Sequence, residues 1–271
     1  AARDAARRVV DRLIGCEPSA NESNESTSAY CLPSVILVGV QKAGTSNLLG
    51  WMERHPAIRV ALEERHFFDK TPHVDARRVD TYAPYLFRSD FLLSPRELRD
   101  GVITVEKTPN YISDPDAARR MHELLPSARL IVSLRDPVTR TYSAWQHHCR
   151  ARRYDDDGVN VRRVKTGTGN LIRCVPDAFE RYLASGSMDA LPVVRRGEYA
   201  SQLRRLLSYY DPTNVLILFY EDMRSKPFET MRRVERFAGV ASFPYESFTY
   251  VSSEGRVRLR GVPTKATRPY E

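Results

Sequence analysis

Long apolar runs are missing from this chain. Across its 271 residues no stretch approaches the roughly 20 apolar residues that a bilayer-spanning helix needs. Cysteine is scarce, four in all, and no two stand as CxxC, which argues against zinc ribbons and thiol-redox chemistry. No cluster of His, Cys, Asp and Glu has metal-ligand spacing, so no metal is expected. No segment repeats, which argues against solenoids and propellers. Acidic residues are outnumbered, 34 against 42 lysines and arginines, for a net charge of +8. That surplus fits an acidic partner: nucleic acid, a membrane surface or an anionic polysaccharide. Charge alone does not choose among the three.

What is present begins with the amino-terminal segment. Ala1–Leu13 has a helical pattern, and Glu17–Ala29 is rich in Ser, Asn and Glu, the composition of a linker. Residues 1–29 are therefore read as a stem, with one globular domain over residues 30–271. Two N-glycosylation sequons, Asn21-Glu22-Ser23 and Asn24-Glu25-Ser26, stand back to back in the stem. The cysteines fall as two pairs, each enclosing a polar loop, which suggests bridges Cys16–Cys31 and Cys149–Cys174. Sequons and paired cysteines together favour the secretory lumen. The chain begins with alanine, so an upstream membrane anchor is expected outside it.

The domain is organised around Ser34–Met52, SVILVGVQKAGTSNLLGWM. Ser34–Val40 has the length and β-branching of a buried strand, and Leu48, Leu49 and Met52 recur at helical spacing. Between them lies a small-residue turn carrying Lys42. A strand, tight loop and helix aim a helix amino terminus and free backbone amides at one point, which attracts an anion such as phosphate. Lys42 adds charge, and Thr45 and Ser46 add hydroxyls. The nucleotide P-loop order is Gly-Lys-Ser/Thr; here Lys42 precedes Gly44 instead. An ordinary buried strand and turn remains the plain alternative.

Further strands are expected at Ile58–Leu62, Val102–Val105, Arg129–Leu134 and Asn214–Tyr220, alternating with helices in the βαβ manner of a parallel sheet. After the second comes Glu63-Glu64-Arg65-His66-Phe67-Phe68-Asp69, where the aromatics offer an apolar floor for a carboxylate general base. The floor equally suits a simple core with solvated acids. Glu106-Lys107-Thr108 ends the next strand. Arg135 follows the strand Arg129–Leu134, with Ser143 eight residues on, a fork and a hydroxyl suited to a second phosphate; Asp136 pairing with Arg140 is the plain alternative. Arg150–Gly169 reads as a basic loop at the lip of a cleft. Helices are expected over residues 75–100, with Ser94-Pro95 starting a short one, and over Pro115–Leu125, Pro176–Ala184 and Glu198–Tyr210, the last with Leu203, Leu206 and Leu207 inward. A final helix is capped by Ser225. All three motif loops follow strands, so they should gather along one edge.

Taken together, VILVGVQKAGTSNLLGWMERHPAI, EERHFFD with VEKTPNYI, and LIVSLRDPVTRTYSAW resemble the Golgi carbohydrate sulfotransferases, the heparan sulfate N- and 3-O-sulfotransferases in style. The resemblance runs from about Ser34 to Gly239. It implies the sulfotransferase fold, a single α/β domain with a parallel sheet flanked by helices. It implies 3′-phosphoadenosine 5′-phosphosulfate (PAPS) as co-substrate, with Lys42, Ala43, Gly44, Thr45, Ser46 and Asn47 around its 5′-phosphosulfate and Arg135 and Ser143 at its 3′-phosphate. Glu64 matches the family's base, Lys107 a lysine near the transferred group, and His66 a neighbouring histidine. The family's cysteine-flanked Lys-Gly-Arg loop is not cleanly present, and Lys265 to Arg268 stand as its replacement. The implied acceptor is an anionic polysaccharide or a glycoprotein glycan, not nucleic acid, with a tyrosyl protein or a small molecule as the alternative acceptors. A nucleotide kinase and a non-catalytic polyanion-binding module are the competing readings.

Overall fold

The computed structural model describes residues 28–70, 85, 89–150, 163–165, 171–173, 192–253 and 255–260. The stem helix, linker and sequons, the Pro176–Ala184 helix, most of the basic loop, and Lys265 and Arg268 lie outside these residues, as does most of the helix expected between 75 and 88.

Five parallel strands form the central sheet: β1 (Val35–Gly39), β2 (Ile58–Val60), β3 (Ile103–Lys107), β4 (Arg129–Leu134) and β5 (Val215–Phe219), in the order β2-β3-β1-β4-β5. From β1 the chain runs to the edge strand β2, returns to insert β3 between β2 and β1, then crosses β1 to add β4 and β5 on the other side. That reversal opens a crevice at the carboxyl ends of the central strands, the usual ligand position in such sheets.

Alternation along the strands divides the core in two. Ile36 and Val38 of β1 join Leu130 and Val132 of β4 on one face. There they meet helix α4 (Ala117–Leu124) and Leu206 of helix α6 (Tyr199–Leu207). Val35 and Leu37 face the other way with Val105 and Ile131, against Leu48 and Met52 of helix α1 (Thr45–Met52) and Met231 and Val234 of helix α8 (Pro227–Ala238). Each fully buried aliphatic side chain contributes about 1.5–3 kcal/mol, so both faces hold the strands in register.

Between these lie the short helices α2 (Phe67–Lys70), α3 (Pro95–Arg99) and α7 (Tyr220–Ser225) and the longer α5 (Pro137–Arg150). α3 begins with a capping box. Ser94 Oγ accepts the Glu97 amide, and the Glu97 carboxylate accepts the Ser94 amide at 2.9 Å.

Several expectations are corrected. Ser225 ends α7 and bonds back to the Glu221 carbonyl; Lys226 and Pro227 open the next helix instead. Leu207 is exposed, because one step from Leu206 turns a helical residue about 100° off the core face. Arg163–Lys165 within the basic loop is a strand pairing antiparallel with Leu171–Arg173 just beyond it. The helix after Asp114 starts at Ala117, with the Asp114 carboxylate accepting the amides of Asp116 and Ala117. Asp136 caps α5 through the Thr139 amide at 2.8 Å, a local role in place of pairing with Arg140. Cys31 is disulfide-bonded, while Cys16, Cys174 and the Cys149 side chain lie outside the described residues.

Candidate active site

The loop after β1 turns tightly. The Ala43 amide donates to the Val40 carbonyl, and the Leu48 amide to that of Gly44, beginning α1. Ser133 Oγ, on β4, donates to the Ala43 carbonyl at 2.6 Å and pins the turn to the sheet. Gly44 has φ of 81°, a conformation that glycine adopts without strain. A Cβ there would lie 2.8 Å from the Tyr220 ring. Ala43 and Thr45 are buried, whereas Ser46 and Asn47 lie exposed at the start of α1.

Arg135, just past β4, reaches this loop directly. Its Nη1 donates to the Lys42 carbonyl at 3.1 Å, and its Nε to Thr139 Oγ1 at 3.2 Å. The guanidinium lies 4.6 Å from the centre of the Tyr220 ring, and the Tyr199 hydroxyl holds the Arg135 carbonyl at 2.7 Å. A cation is thereby fixed over an aromatic face. Ser143 is half-buried two turns along α5, and none of these hydrogen bonds includes it.

Lys107, at the tip of β3, joins the loop to the acidic segment. Its buried Nζ donates to Glu64 at 2.7 Å and to Ser46 at 3.3 Å. The other Glu64 oxygen is 3.3 Å from His66 Nε2, and His66 Nδ1 is 2.8 Å from Asp69. Asn110 donates to the same Asp69 oxygen at 2.6 Å. With Nδ1–H donating to buried Asp69, the imidazole turns its Nε2 toward Glu64. The floor expected beneath Glu64 serves another purpose. Phe67 and Phe68 lie in the core against Tyr85 and Tyr111, and Glu64, 37% exposed, is oriented by Lys107 and His66.

Beneath this segment the Glu106 carboxylate is wholly buried. Burial pushes it above the ordinary carboxylate range, opposed by hydrogen bonds from Tyr111, Tyr85 and Thr108. Burial likewise raises the phenols of Tyr85 and Tyr111. Arg196 approaches from beyond α5, its Nη1 donating to Gln41 at 2.8 Å, and burial lowers its affinity for its proton while Asp69 opposes that effect.

Ser46, Lys107, Glu64 and His66 thus form one bonded cluster at the crevice, and Arg135 meets the same loop at the Lys42 carbonyl. Sequence reasoning missed Asp69, Asn110, Glu106 and Arg196. Asp69 stands three residues after His66, one helical turn, a spacing that signals a contact. For Arg196 no local signal exists. Among the described residues no group of three or more His, Cys, Asp or Glu is arranged to hold a metal ion, and no helix is long and apolar enough to cross a membrane.

Fold and site together define a parallel α/β protein with a strand-loop-helix turn carrying Lys42 beside a carboxylate. The chain belongs to the sulfotransferase family, whose model, described as Sulfotransferase domain, matches residues 32–252. Human heparan sulfate glucosamine 3-O-sulfotransferase 6 is 34% identical over 209 residues, covering 77% of this chain and 52% of the relative. Human bifunctional heparan sulfate N-deacetylase/N-sulfotransferase 3 is 30% identical over 232 residues, covering 83% of this chain and 24% of the relative. The chain therefore spans about half of the first relative and a quarter of the second. A sulfotransferase from Alicyclobacillus acidocaldarius shares the fold at a TM-score of 0.54 and 24% identity, over 78% of this chain and 82% of that one. A nucleotide kinase is not favoured, by family or by the position of Lys42.

Proposed function

We propose that this protein transfers a sulfuryl group from PAPS to a hydroxyl or amine of a carbohydrate, with a glycosaminoglycan as acceptor. The observation that carries the reading is the Lys107 bridge, one ammonium touching both Ser46 of the phosphate-type loop and the Glu64 carboxylate. A donor phosphosulfate at the loop and an acceptor at Glu64 would then share one cation. The donor supplies an activated sulfuryl group. Glu64 removes the acceptor proton, so that the acceptor oxygen attacks sulfur in line with the departing phosphate. Lys42 and Lys107 offset charge developing on the bridging and sulfuryl oxygens, the kind of fixed electrostatics that usually dominates catalysis. His66, oriented by Asp69, places its Nε2 3.3 Å from the second Glu64 oxygen. Amides and side chains of Lys42 to Asn47 surround the 5′-phosphosulfate, and Arg135 and Ser143 bind the 3′-phosphate. The fit rests on Gly44, whose missing Cβ keeps the loop clear of Tyr220, and on the guanidinium stacked beside it.

The heparan sulfate substrates named for the relatives support a polysaccharide acceptor, as does the basic surplus. The compartment in this reading is the Golgi lumen, with an anchor outside the chain; the disulfide at Cys31 supports an oxidising compartment. The test is labelled PAPS offered with heparan, chondroitin, dermatan and tyrosine-containing acceptors. Label should enter a polysaccharide. Glu64→Gln should lower turnover by about 10²-fold or more while leaving affinity for adenosine 3′,5′-bisphosphate unchanged. Polysaccharide binding indifferent to that nucleotide, with no transfer, would instead leave a binding module.

A further inference from the structure

Glu106 touches neither loop of the proposed chemistry, yet it is the most enclosed carboxylate near the site. Its Oε1 accepts from Thr108 Oγ1 at 2.9 Å and from the Tyr111 hydroxyl at 2.6 Å, and its Oε2 accepts from the Tyr85 hydroxyl. A hydroxyl has a single proton. Once Thr108 and Tyr111 spend theirs on Glu106, their oxygens are left to accept. What they accept are consecutive backbone amides of the acidic segment: Arg65 at 3.0 Å and His66 at 3.4 Å on Thr108, and Phe67 at 3.1 Å on Tyr111. His66 has φ of 52°, a conformation side chains other than glycine's seldom adopt without outside support.

We propose that Glu106 is a positioning residue for sulfuryl transfer, acting through the Thr108 and Tyr111 hydroxyls to fix the backbone of residues 65–67 and so the direction in which Glu64 and His66 project. The inference rests on the transferase reading for its consequence in turnover, but not for the hydrogen-bonded relay itself. The relay is directional. Reversing either hydroxyl would set two donors against each other, so the segment has one low-energy seating. Gain or loss of a proton at Oε2 leaves Oε1 an acceptor, so the relay holds in either protonation state. Lys107 acts on Glu64 from the opposite side, and the carboxylate is located from both its side chain and its backbone.

The test pairs substitutions that keep the shape and differ in hydrogen bonding. Thr108→Val removes the hydroxyl at nearly constant volume; Thr108→Ser retains it; Tyr111→Phe deletes the other relay oxygen. Glu106→Met removes the acceptor on which both hydroxyls depend at similar volume. In folded protein, Thr108→Val, Tyr111→Phe and Glu106→Met should each reduce kcat about tenfold or more, the worth of one misaligned catalytic group. KM for the donor and affinity for adenosine 3′,5′-bisphosphate should stay within twofold. Thr108→Ser, which restores the hydroxyl, should stay within about threefold of the parent. Hydrogen exchange at the amides of residues 65–67 should accelerate in Thr108→Val, Tyr111→Phe and Glu106→Met and not in Thr108→Ser. Unchanged exchange in Thr108→Val and Tyr111→Phe, or unchanged kcat in both, overturns the proposal. An inactive parent protein would sink the transferase reading, while the exchange measurement would still decide the relay.

Discussion

Gly44→Ala tests the loop most directly, because the structure gives both parts of its cost. With φ at 81°, an alanine enters the left-handed region at about 1 kcal/mol or slightly more. Its Cβ would also stand 2.8 Å from Tyr220 Cδ2 and 3.0 Å from Met223 Cε. The methionine is a flexible end and can swing away. The tyrosine ring is pressed between the loop and the Arg135 guanidinium, 4.6 Å from its centre, so relief there requires overpacking strain of about 1–3 kcal/mol. Together these predict a loss of about 2–4 kcal/mol, or roughly 5–12 °C in Tm for a domain of this size. Because the displaced ring carries Arg135 with it, affinity for adenosine 3′,5′-bisphosphate should fall about tenfold, equivalent to about 1.4 kcal/mol. Gly50 supplies the control. It lies within the same helix, and a Cβ there meets nothing within 4 Å, so Gly50→Ala should raise stability by about 0.5–1 kcal/mol. Calorimetric unfolding and titration of the nucleotide measure both. A Gly44→Ala protein that melts within a degree of its parent and binds the nucleotide equally well would refute the argument.

Arg135→Ala should weaken nucleotide binding about tenfold or more, and Arg135→Lys should recover only part of it, since an ammonium keeps the charge but loses the flat stacking on Tyr220; an unchanged dissociation constant for the alanine variant would remove Arg135 from the site. The Glu97 carboxyl is held down to about 2, chiefly by its hydrogen bond from Arg59, aided by the Ser94 amide and hydroxyl. Its folded value lies below the unfolded 4.5, so its contribution is present above pH 4.5 and disappears as pH falls toward 2. Both partners are partly exposed, so screening holds the contribution to about 1–2 kcal/mol. Urea unfolding should show a Glu97→Gln variant losing correspondingly less stability than its parent between pH 6 and pH 2.5, and parallel losses would contradict the assignment.

Local patterns carried much of this fold because their causes are local. Ser94-Pro95 announces a helix start whatever surrounds it, and the apolar run Ser34–Val40 has few alternatives to a buried strand. The gathering of Lys42, Lys107 and Arg135 also followed from the sequence, since each ends a parallel strand. The carboxylate's setting did not. Phe67 and Phe68 suggested a floor for Glu64, but whether two aromatics underlie a charge or fill a core depends on Tyr85 and Tyr111, which pack against them from elsewhere in the chain. Arg196 meets Gln41 across 155 positions of sequence, a distance over which periodicity carries no information. Ser225 satisfied the residue preference for a helix cap, yet a nearby proline at position 227 was the stronger determinant of where the last helix starts.

Glu106 and Lys107 illustrate why sheet register and site chemistry are one constraint here. Pairing sets Glu106 beside Ile36 and Lys107 beside Leu37 on β1. Ile36 belongs to the core face that holds Tyr85 and Tyr111, and Leu37 to the face that holds the helix starting at Thr45. Neighbours on a strand point to opposite faces, so one strand end delivers a buried carboxylate downward and a buried ammonium upward. A slip of one residue in β3 would exchange them. The ammonium would then enter the buried hydroxyl pocket with no carboxylate there to pair with, and a second carboxylate would face Glu64. Either is a buried charge without compensation, costly by several kcal/mol. The arrangement that assembles the proposed site is therefore also the register in which both charges find partners.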